Sequence, residues 1–84
     1  MQRSRITIPW ADGLQLRQVV KLVKVAHRFH STILLKCRGE VADLRRSSII
    51  TVVALCAMAN ALELEVAGDD EQAAARSVEQ VFLG

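Results

Sequence analysis

The sequence predicts an α+β fold, a two-layer sandwich in which helices cover one face of a β-sheet. Alternating segments and segments of helical spacing follow one another in the order βαββαβα. Each helical segment has one apolar face that must be buried. In residues 62–66, LELEV, glutamates alternate with apolar residues, so one sheet face is expected beneath the helices and the other in solvent.

The first half of the chain is expected to contain a strand, a helix and a hairpin. Residues 3–8 alternate and end at Pro9, which is typical of a short strand. An Asp-Gly turn then precedes an amphipathic helix over residues 16–28. Residues 31–37, STILLKC, and residues 40–44, EVADL, flank an Arg-Gly turn and so predict a β-hairpin.

The second half is expected to contain two helices separated by the strand LELEV. A serine cap at "RRSS" predicts a helix that begins at Ile49 and ends at Asn60. After LELEV, the turn Gly68-Asp69-Asp70 supplies an acidic cap and leads into the last helix. Its inward residues are Ala74, Val78 and Val81, with Phe82 near its end.

Length and composition indicate one globular domain over residues 1–84. Hydrophobic residues make up 51% of the chain and charged residues 24%, which argues against disorder. No signal-peptide pattern follows the first residues. The most apolar run, residues 49–59, is well short of the roughly 20 residues that span a bilayer. We therefore expect a cytoplasmic protein that does not enter the membrane.

The charge is distributed unevenly along the chain. Residues 1–46 hold ten Lys and Arg against three acidic residues, a net +7, whereas residues 47–84 have a net charge of −5. A basic half suits an acidic protein surface or a phosphate group. Only one Trp and two Phe are present and Tyr is absent, so no base-stacking cluster predicts nucleic-acid binding.

The reactive side chains predict neither an enzyme nor a metal site. The two cysteines form no CxxC pair. Cys56 indicates a core position because it lies on the apolar helical stripe Ile49, Val52, Val53 and Cys56. A metal site made of His27, His30 and Cys37 would lack a fourth ligand and the usual spacing. No catalytic triad, paired carboxylates or phosphate loop is visible. We expect no cofactor and no independent catalytic residue.

Three stretches resemble the HPr family. They are "GLQLRQ" at the first helix, "RGEVADL" followed by "SSII" at the second, and "VAGDDEQAAA" at the third. HPr is the small phosphocarrier of the bacterial phosphoenolpyruvate-dependent sugar phosphotransferase system. The resemblance covers essentially the whole chain. It implies an open-faced sandwich with a four-stranded antiparallel sheet and three helices on one side.

The chain departs from the family at the position that carries its chemistry. The family signature at the first helix is Gly-Leu-His-x-Arg-Pro, and this chain keeps Gly13, Leu14 and Arg17 of it. Gln15 replaces the phosphorylatable histidine and Gln18 replaces the proline. Glutamine has no nucleophilic nitrogen at neutral pH, so no phosphoryl intermediate is expected at Gln15. Within the family, this is similar to the catabolite-repression HPr homologue, in which Gln also replaces the histidine.

The resemblance implies that the rest of this surface still binds anions and partners. An anion-binding corner is expected at the amides of Leu16, Arg17 and Gln18, together with the Arg17 guanidinium. The family docks its partners on apolar residues of the first two helices within a basic rim. The matching apolar positions are Leu16, Val20, Ile49 and Ile50, and the rim is Arg17, Lys21 and Lys24.

A second site is implied at the start of the second helix. The resemblance aligns Ser48, with Ser47 as a near alternative, with the serine that a dedicated kinase phosphorylates in many HPr proteins. Arg45 and Arg46 could pair with the phosphate, although a serine here is also an ordinary helix cap. Thr51 departs from the glycine that is common in the family at its position.

Three functional hypotheses follow from the sequence. The first is a regulatory or docking module of bacterial carbon metabolism. Its partners would be an HPr-type serine kinase, a transcription regulator or a metabolic enzyme. The second is an active phosphocarrier that uses another residue, with His27 or His30 as the first candidates. The third is an unmodified protein-interaction scaffold. A homodimer is compatible with each hypothesis, because an exposed sheet edge or helix face can pair with a second copy.

Overall fold

The structure, a computed structural model, describes residues 1–8, 16–57 and 61–83 of the chain. Within these residues the elements follow the order βαββαβα, as predicted. They are β1 Gln2–Thr7, α1 Leu16–Ala26, β2 Thr32–Cys37, β3 Glu40–Asp43, α2 Ile49–Ala57, β4 Ala61–Ala67 and α3 Glu71–Leu83. No helix in the described ranges is both long and apolar enough to cross a membrane.

The four strands form one antiparallel sheet in the order β1-β4-β2-β3. The predicted α+β fold class with three helices on a four-stranded antiparallel sheet is therefore confirmed. Strand β4 is central and pairs with β1 on one side and β2 on the other. Its register places Glu63 between Arg5 and Lys36, and Glu65 between Arg3 and Leu34.

The core lies between the helices and the inner face of the sheet. In β4 the alternating residues Leu62, Leu64 and Val66 are at most 1% exposed, as the LELEV pattern predicts. The helices contribute the buried residues Val19, Leu22, Ala26, Val52, Leu55, Cys56, Ala74, Ala75, Val78 and Phe82. Burial raises the pKa of the Cys56 thiol to about 11, helped by the nearby Cys37, so Cys56 is a core residue as predicted.

Two sequence predictions about the helices need correction. Helix α1 ends at Ala26 instead of residue 28, because the amides of Arg28 and Phe29 bond to carbonyls three residues back in a tighter turn. Ile49 lies on the predicted inward stripe of α2 but is 37% exposed, because the first residue of the helix projects beyond the core. The predicted strand end at Pro9, the Asp-Gly turn and the helix end at Asn60 lie outside the described residues.

Asp70 joins two loops that are far apart in sequence. Its carboxylate accepts hydrogen bonds from the backbone N–H groups of His30 at 2.9 Å and Ser31 at 3.0 Å, and from the Ser31 hydroxyl. The Ser31 hydroxyl and then the His30 amide lower the pKa of the Asp70 carboxyl. Asp70, the predicted acidic cap of the last helix, therefore uses its carboxylate to bind the loop before β2. Gly68, with φ of +151°, lets the buried Ser31 approach closely.

Glu65 corrects the prediction that the outer face of the sheet is solvated at both glutamates. Glu63 is exposed, whereas Glu65 is only 6% exposed. Arg3 Nε donates to Glu65 Oε1 at 2.8 Å, and Lys36 Nζ pairs with Glu65 Oε2. Lys36, and to a lesser extent Arg3, holds the pKa of the Glu65 carboxyl below its ordinary value. The carboxylate is covered by the two long side chains that neutralise it.

Replacing Gly68 with Ala is expected to destabilise the fold strongly. A Cβ would lie 2.6 Å from Ser31 Oγ and 2.7 Å from Ser31 Cα. Overpacking and the positive φ each cost about 1–3 kcal/mol, so we expect a loss of about 2 kcal/mol or more in urea unfolding. Gly39→Ala is the matched control, since Gly39 has φ of +83° with nothing within 4 Å of a Cβ. Its loss should be about 1 kcal/mol. Equal losses would contradict the close approach at Ser31.

Replacing Glu65 with Gln is expected to remove stability that depends on pH. Because the folded pKa lies below the ordinary value of 4.5, ionised Glu65 stabilises the fold above that pH. This stability is lost as the pH falls through the folded pKa. Urea unfolding of the wild type and Glu65→Gln should therefore differ at neutral pH and converge in acid. Glu63→Gln, on the same strand face, should show a smaller and flatter difference. A Glu65→Gln effect that is constant with pH would contradict this account.

Candidate functional site

Ser48 caps the N-terminus of α2. Its Oγ accepts a hydrogen bond from the backbone N–H of Thr51 at 3.2 Å, and its carbonyl accepts from the N–H of Val52 at 3.2 Å. The cap predicted from "RRSS" is thus confirmed. Residue Ser48 is exposed. A phosphate on this hydroxyl would stand beside the first N–H groups of the helix, at the positive end of its dipole.

Ser47 has a different position from its neighbour. It is half-buried, and its Oγ accepts from the backbone N–H of Asp43 at 3.0 Å. Its own N–H donates to the Asp43 carbonyl at 2.7 Å. Ser47 therefore holds the connection from β3 to α2, and Ser48 presents the more accessible hydroxyl.

The two arginines before α2 also differ. The Arg45 guanidinium donates to the His30 carbonyl at 3.1 Å, and its backbone N–H donates to Asp43 Oδ1 at 2.9 Å. Arg46 is exposed and makes no ion pair within the described residues. Of the two predicted phosphate partners, only Arg45 has its guanidinium engaged in a hydrogen bond among the described residues.

Thr51 takes part in this corner in a way that the sequence reading missed. Its hydroxyl lies 3.0 Å from Ser48 Oγ, while its backbone N–H donates to the same atom. Thr51 is the third residue of α2, the position from which a polar side chain reaches back toward the cap. This contact could have been predicted from the sequence, because Thr51 is a polar residue three places after the capping Ser48.

Exposed apolar side chains stand at the beginnings of α1 and α2, two helices in contact with each other. Leu16 is 63% exposed and Ile50 is 80% exposed, while Ile49 is partly exposed and Val20 half-buried. We call these four residues the apolar docking patch. The other exposed large apolar residues of the described chain, Met1, Val41 and Leu83, lie outside α1 and α2.

A row of cations follows the exposed side of α1. Arg17, Lys21, Lys24 and Arg28 are all exposed and recur at intervals of four, three and four residues. This spacing places them on one helix face. At 100° per residue, this row lies between the apolar residues Leu16 and Val20 and the groove toward α3, which Lys21 and Lys24 also line.

Gln18 is separated from that patch. At 3.6 residues per turn it lies about 160° around α1 from both Leu16 and Val20. Its side chain is half-buried and lines a groove between α1 and α3 with Val25 and Ser77. Its Oε1 is buried without a hydrogen-bond partner among the described residues. Only the Gln18 backbone N–H remains at the predicted anion-binding corner.

The phosphohistidine position, Gln15, lies outside the described residues together with Gly13 and Leu14. Helix α1 begins at the next residue, Leu16. The histidines proposed as substitutes lie near its other end, with His27 about 17 Å from Leu16 along the axis. His27 is exposed, and its Nδ1 lies 2.9 Å from the Val23 carbonyl.

A family model and several solved structures match this chain, and both point to the same family. The family model for the PTS HPr component phosphorylation site matches residues 2–83. HPr-C-His from Thermoanaerobacter tengcongensis superposes with a TM-score of 0.85 at 25% identity, over 99% of this chain and 92% of that chain.

Two further solved structures have similar coverage. Crh, the Bacillus subtilis catabolite repression containing protein, gives a TM-score of 0.71 at 25% identity over 99% of this chain and 94% of that one. Its crystal structure is described as a dimer with a swapping domain. The histidine-containing phosphocarrier protein of Mycoplasma shares the fold with a TM-score of 0.85 at 23% identity, over 98% of this chain and 92% of that one. Comparison with curated proteins gives no significant match.

The cap at Ser48 should accept a negative charge. Ser48→Ala removes the acceptor of the Thr51 N–H and is expected to cost about 1 kcal/mol of unfolding free energy. Ser48→Asp restores an acceptor and adds a charge that suits the helix dipole, so its stability should stay close to that of the wild type. Chemical denaturation of the two variants provides the measurement. If Asp destabilised as much as Ala, the start of α2 would not be an anion-tolerant site.

Proposed function

The chain belongs to the HPr family of the sugar phosphotransferase system, and on that premise we propose that it is a regulatory or docking module without phosphohistidine carrier activity. The observation that carries this proposal is Gln15 at the histidine position of a chain that matches the family over residues 2–83. The amide nitrogen of Gln has its lone pair delocalised into the carbonyl. It therefore cannot replace an imidazole nitrogen as the nucleophile.

The apolar docking patch supports recognition by proteins that also bind HPr. A protein interface needs a desolvated apolar centre with a polar rim. Leu16 and Ile50 supply exposed apolar area, and Arg17, Lys21 and Lys24 supply a cationic rim. The partners we propose carry acidic residues around an apolar site: an HPr-type kinase, a transcription regulator or a metabolic enzyme in the cytoplasm.

Phosphorylation of Ser48 is the proposed means of regulation. Its exposed hydroxyl, the N-terminus of α2 and the nearby Arg46 support a phosphate there. Because Ser48 directly precedes Ile49 and Ile50, a phosphate would place about two negative charges next to the apolar docking patch. Modification would then change which partners the patch prefers, while the fold stays the same.

Dimerisation is a further part of this proposal. Both Crh and an HPr from Thermoanaerobacter tengcongensis have been crystallised as dimers. In this chain β1 is an edge strand of the sheet, so its outer backbone groups are available to a second copy.

The proposal is tested by intact-mass analysis after two parallel incubations. One uses enzyme I with phosphoenolpyruvate, and the other uses HPr kinase with ATP. We expect no phosphate from phosphoenolpyruvate and one acid-stable phosphate from ATP. An acid-labile phosphate on the wild type would overturn the proposal in favour of an active phosphocarrier, to be mapped first to His27 and His30. No adduct in either incubation would favour an unmodified interaction scaffold.

Three variants serve as controls in the same experiment. Ser48→Ala should abolish the ATP-dependent phosphate, and Ser47→Ala should retain it, because only Ser47 has its hydroxyl committed to Asp43. Gln15→His should gain an acid-labile phosphate from phosphoenolpyruvate, since it restores the missing nucleophile. Loss of the ATP-dependent phosphate in Ser47→Ala alone would move the modification to Ser47.

A further inference from the structure

The outer face of the sheet, opposite the helices, contains an open groove of about 710 Å³. Nine residues of β1, β2, β4 and the turn after β2 line it. Four of them are the cations Arg3, Arg5, Lys36 and Arg38. The groove lies on the side of the sheet away from α1 and α2, so it is separate from the apolar docking patch.

The sheet register explains the shape of this groove. Strand β4 forms the floor, and the flanking strands β1 and β2 form the walls. Ala61 pairs with Thr7 at one end of β4, and its small side chain leaves a hollow between the walls. Further along the floor, Glu63 lies directly between Arg5 and Lys36.

The ion pairs of Glu65 determine which cations are left for a ligand. Arg3 and Lys36 both turn to Glu65, although Lys36 lies directly opposite Glu63 in the register. Arg5 and Arg38 are exposed and make no ion pair within the described ranges. Four cations face two carboxylates in and beside the groove, and the surplus positive charge lies at its two unpaired arginines.

We propose that this groove binds the phosphate group of a small phosphorylated molecule, with Arg5 and Arg38 as its direct ligands. The planar guanidinium fork matches phosphate oxygens and forms charge-assisted hydrogen bonds with them. The volume lies in the usual range for small-molecule pockets, about 300–1,000 Å³.

The proposal is tested by NMR titration of the full chain with inorganic phosphate, against sodium chloride of equal ionic strength. We expect saturable amide shifts at residues 3–5, 36–38 and 61–63 with phosphate alone. The same shifts in chloride would show ionic-strength effects only and would overturn the proposal. Shifts confined to residues 16–18 or 48–51 would place phosphate at the helix N-termini and would also overturn it.

Matched variants assign the ligands. The double variant Arg5→Gln/Arg38→Gln should weaken phosphate binding at least tenfold, while Arg76→Gln, an exposed arginine of α3, should leave it within twofold. Glu63→Gln removes the exposed carboxylate from the floor and should tighten binding at least twofold. Urea unfolding midpoints verify that each variant is folded. Equal affinities in the double variant and Arg76→Gln would overturn the assignment, as would weaker binding in Glu63→Gln.

A separate arm distinguishes a small molecule from a macromolecule. Glycerol phosphate should reproduce the phosphate shifts and compete with inorganic phosphate. Binding of an acidic peptide or of anionic vesicles at the groove, without competition by glycerol phosphate, would overturn the proposal in favour of a larger partner.

Discussion

The hydrogen bonds between the Asp70 carboxylate and the loop before β2 are the contact on which the arrangement of the helices depends. Asp70 directly precedes α3, and His30 and Ser31 directly precede β2, so one carboxylate fixes the exit from α1 and the entry to α3. Ser31 is fully buried, and its polar groups would be costly to leave without partners. Gly68 makes the approach possible because it has no Cβ to meet Ser31. The position of α1, and with it the apolar docking patch, follows from this joint.

Glu65 organises the outer face of the sheet in a comparable way. Burying a carboxylate is unfavourable unless cations and hydrogen bonds compensate, and here two neighbouring strands each supply a cation. The contact to Arg3 is directly cross-strand, while the contact to Lys36 is diagonal. A register shift of one residue would move Glu65 to the inner face among apolar side chains. Because Arg3 and Lys36 are paired with Glu65, these two cations of the groove are already neutralised.

Local patterns in the sequence were sufficient for the elements but not for the contacts between them. The alternation in LELEV and the helical spacing of the apolar residues predicted all seven elements within a few residues of their observed bounds. The burial of Glu65 depends on which residues stand beside it in other strands, which alternation cannot reveal. Asp70 looked like a helix cap for the same reason, since its partners lie about 40 residues away in the chain.

In the candidate site, too, local features could be predicted from the sequence and contacts between elements could not. The Ser48 cap is a local feature and was predictable, whereas the commitment of Ser47 to Asp43 and of Arg45 to His30 required the tertiary structure. Gln18 was placed at the anion-binding corner through its backbone N–H, and sequence proximity could not show that its side chain points away from Leu16. Periodicity also could not decide whether Ile49 faces the core or the solvent, because a helix end projects beyond the layer that buries its middle.

The proposed function, docking without phosphoryl transfer, can be understood from the atoms that each of these two activities requires. Phosphohistidine chemistry needs one particular nitrogen, and the single residue Gln15 removes it. Anion binding at the start of α2 needs the Ser48 hydroxyl and free backbone N–H groups. Any residue except proline provides a backbone N–H. The patch around Leu16 and Ile50 needs exposed apolar area on two packed helices, which is independent of the side chain at residue 15. On the proposed function, a substitution at the phosphoacceptor therefore abolishes phosphoryl transfer and leaves a docking surface on which Ser48 is the remaining position for control.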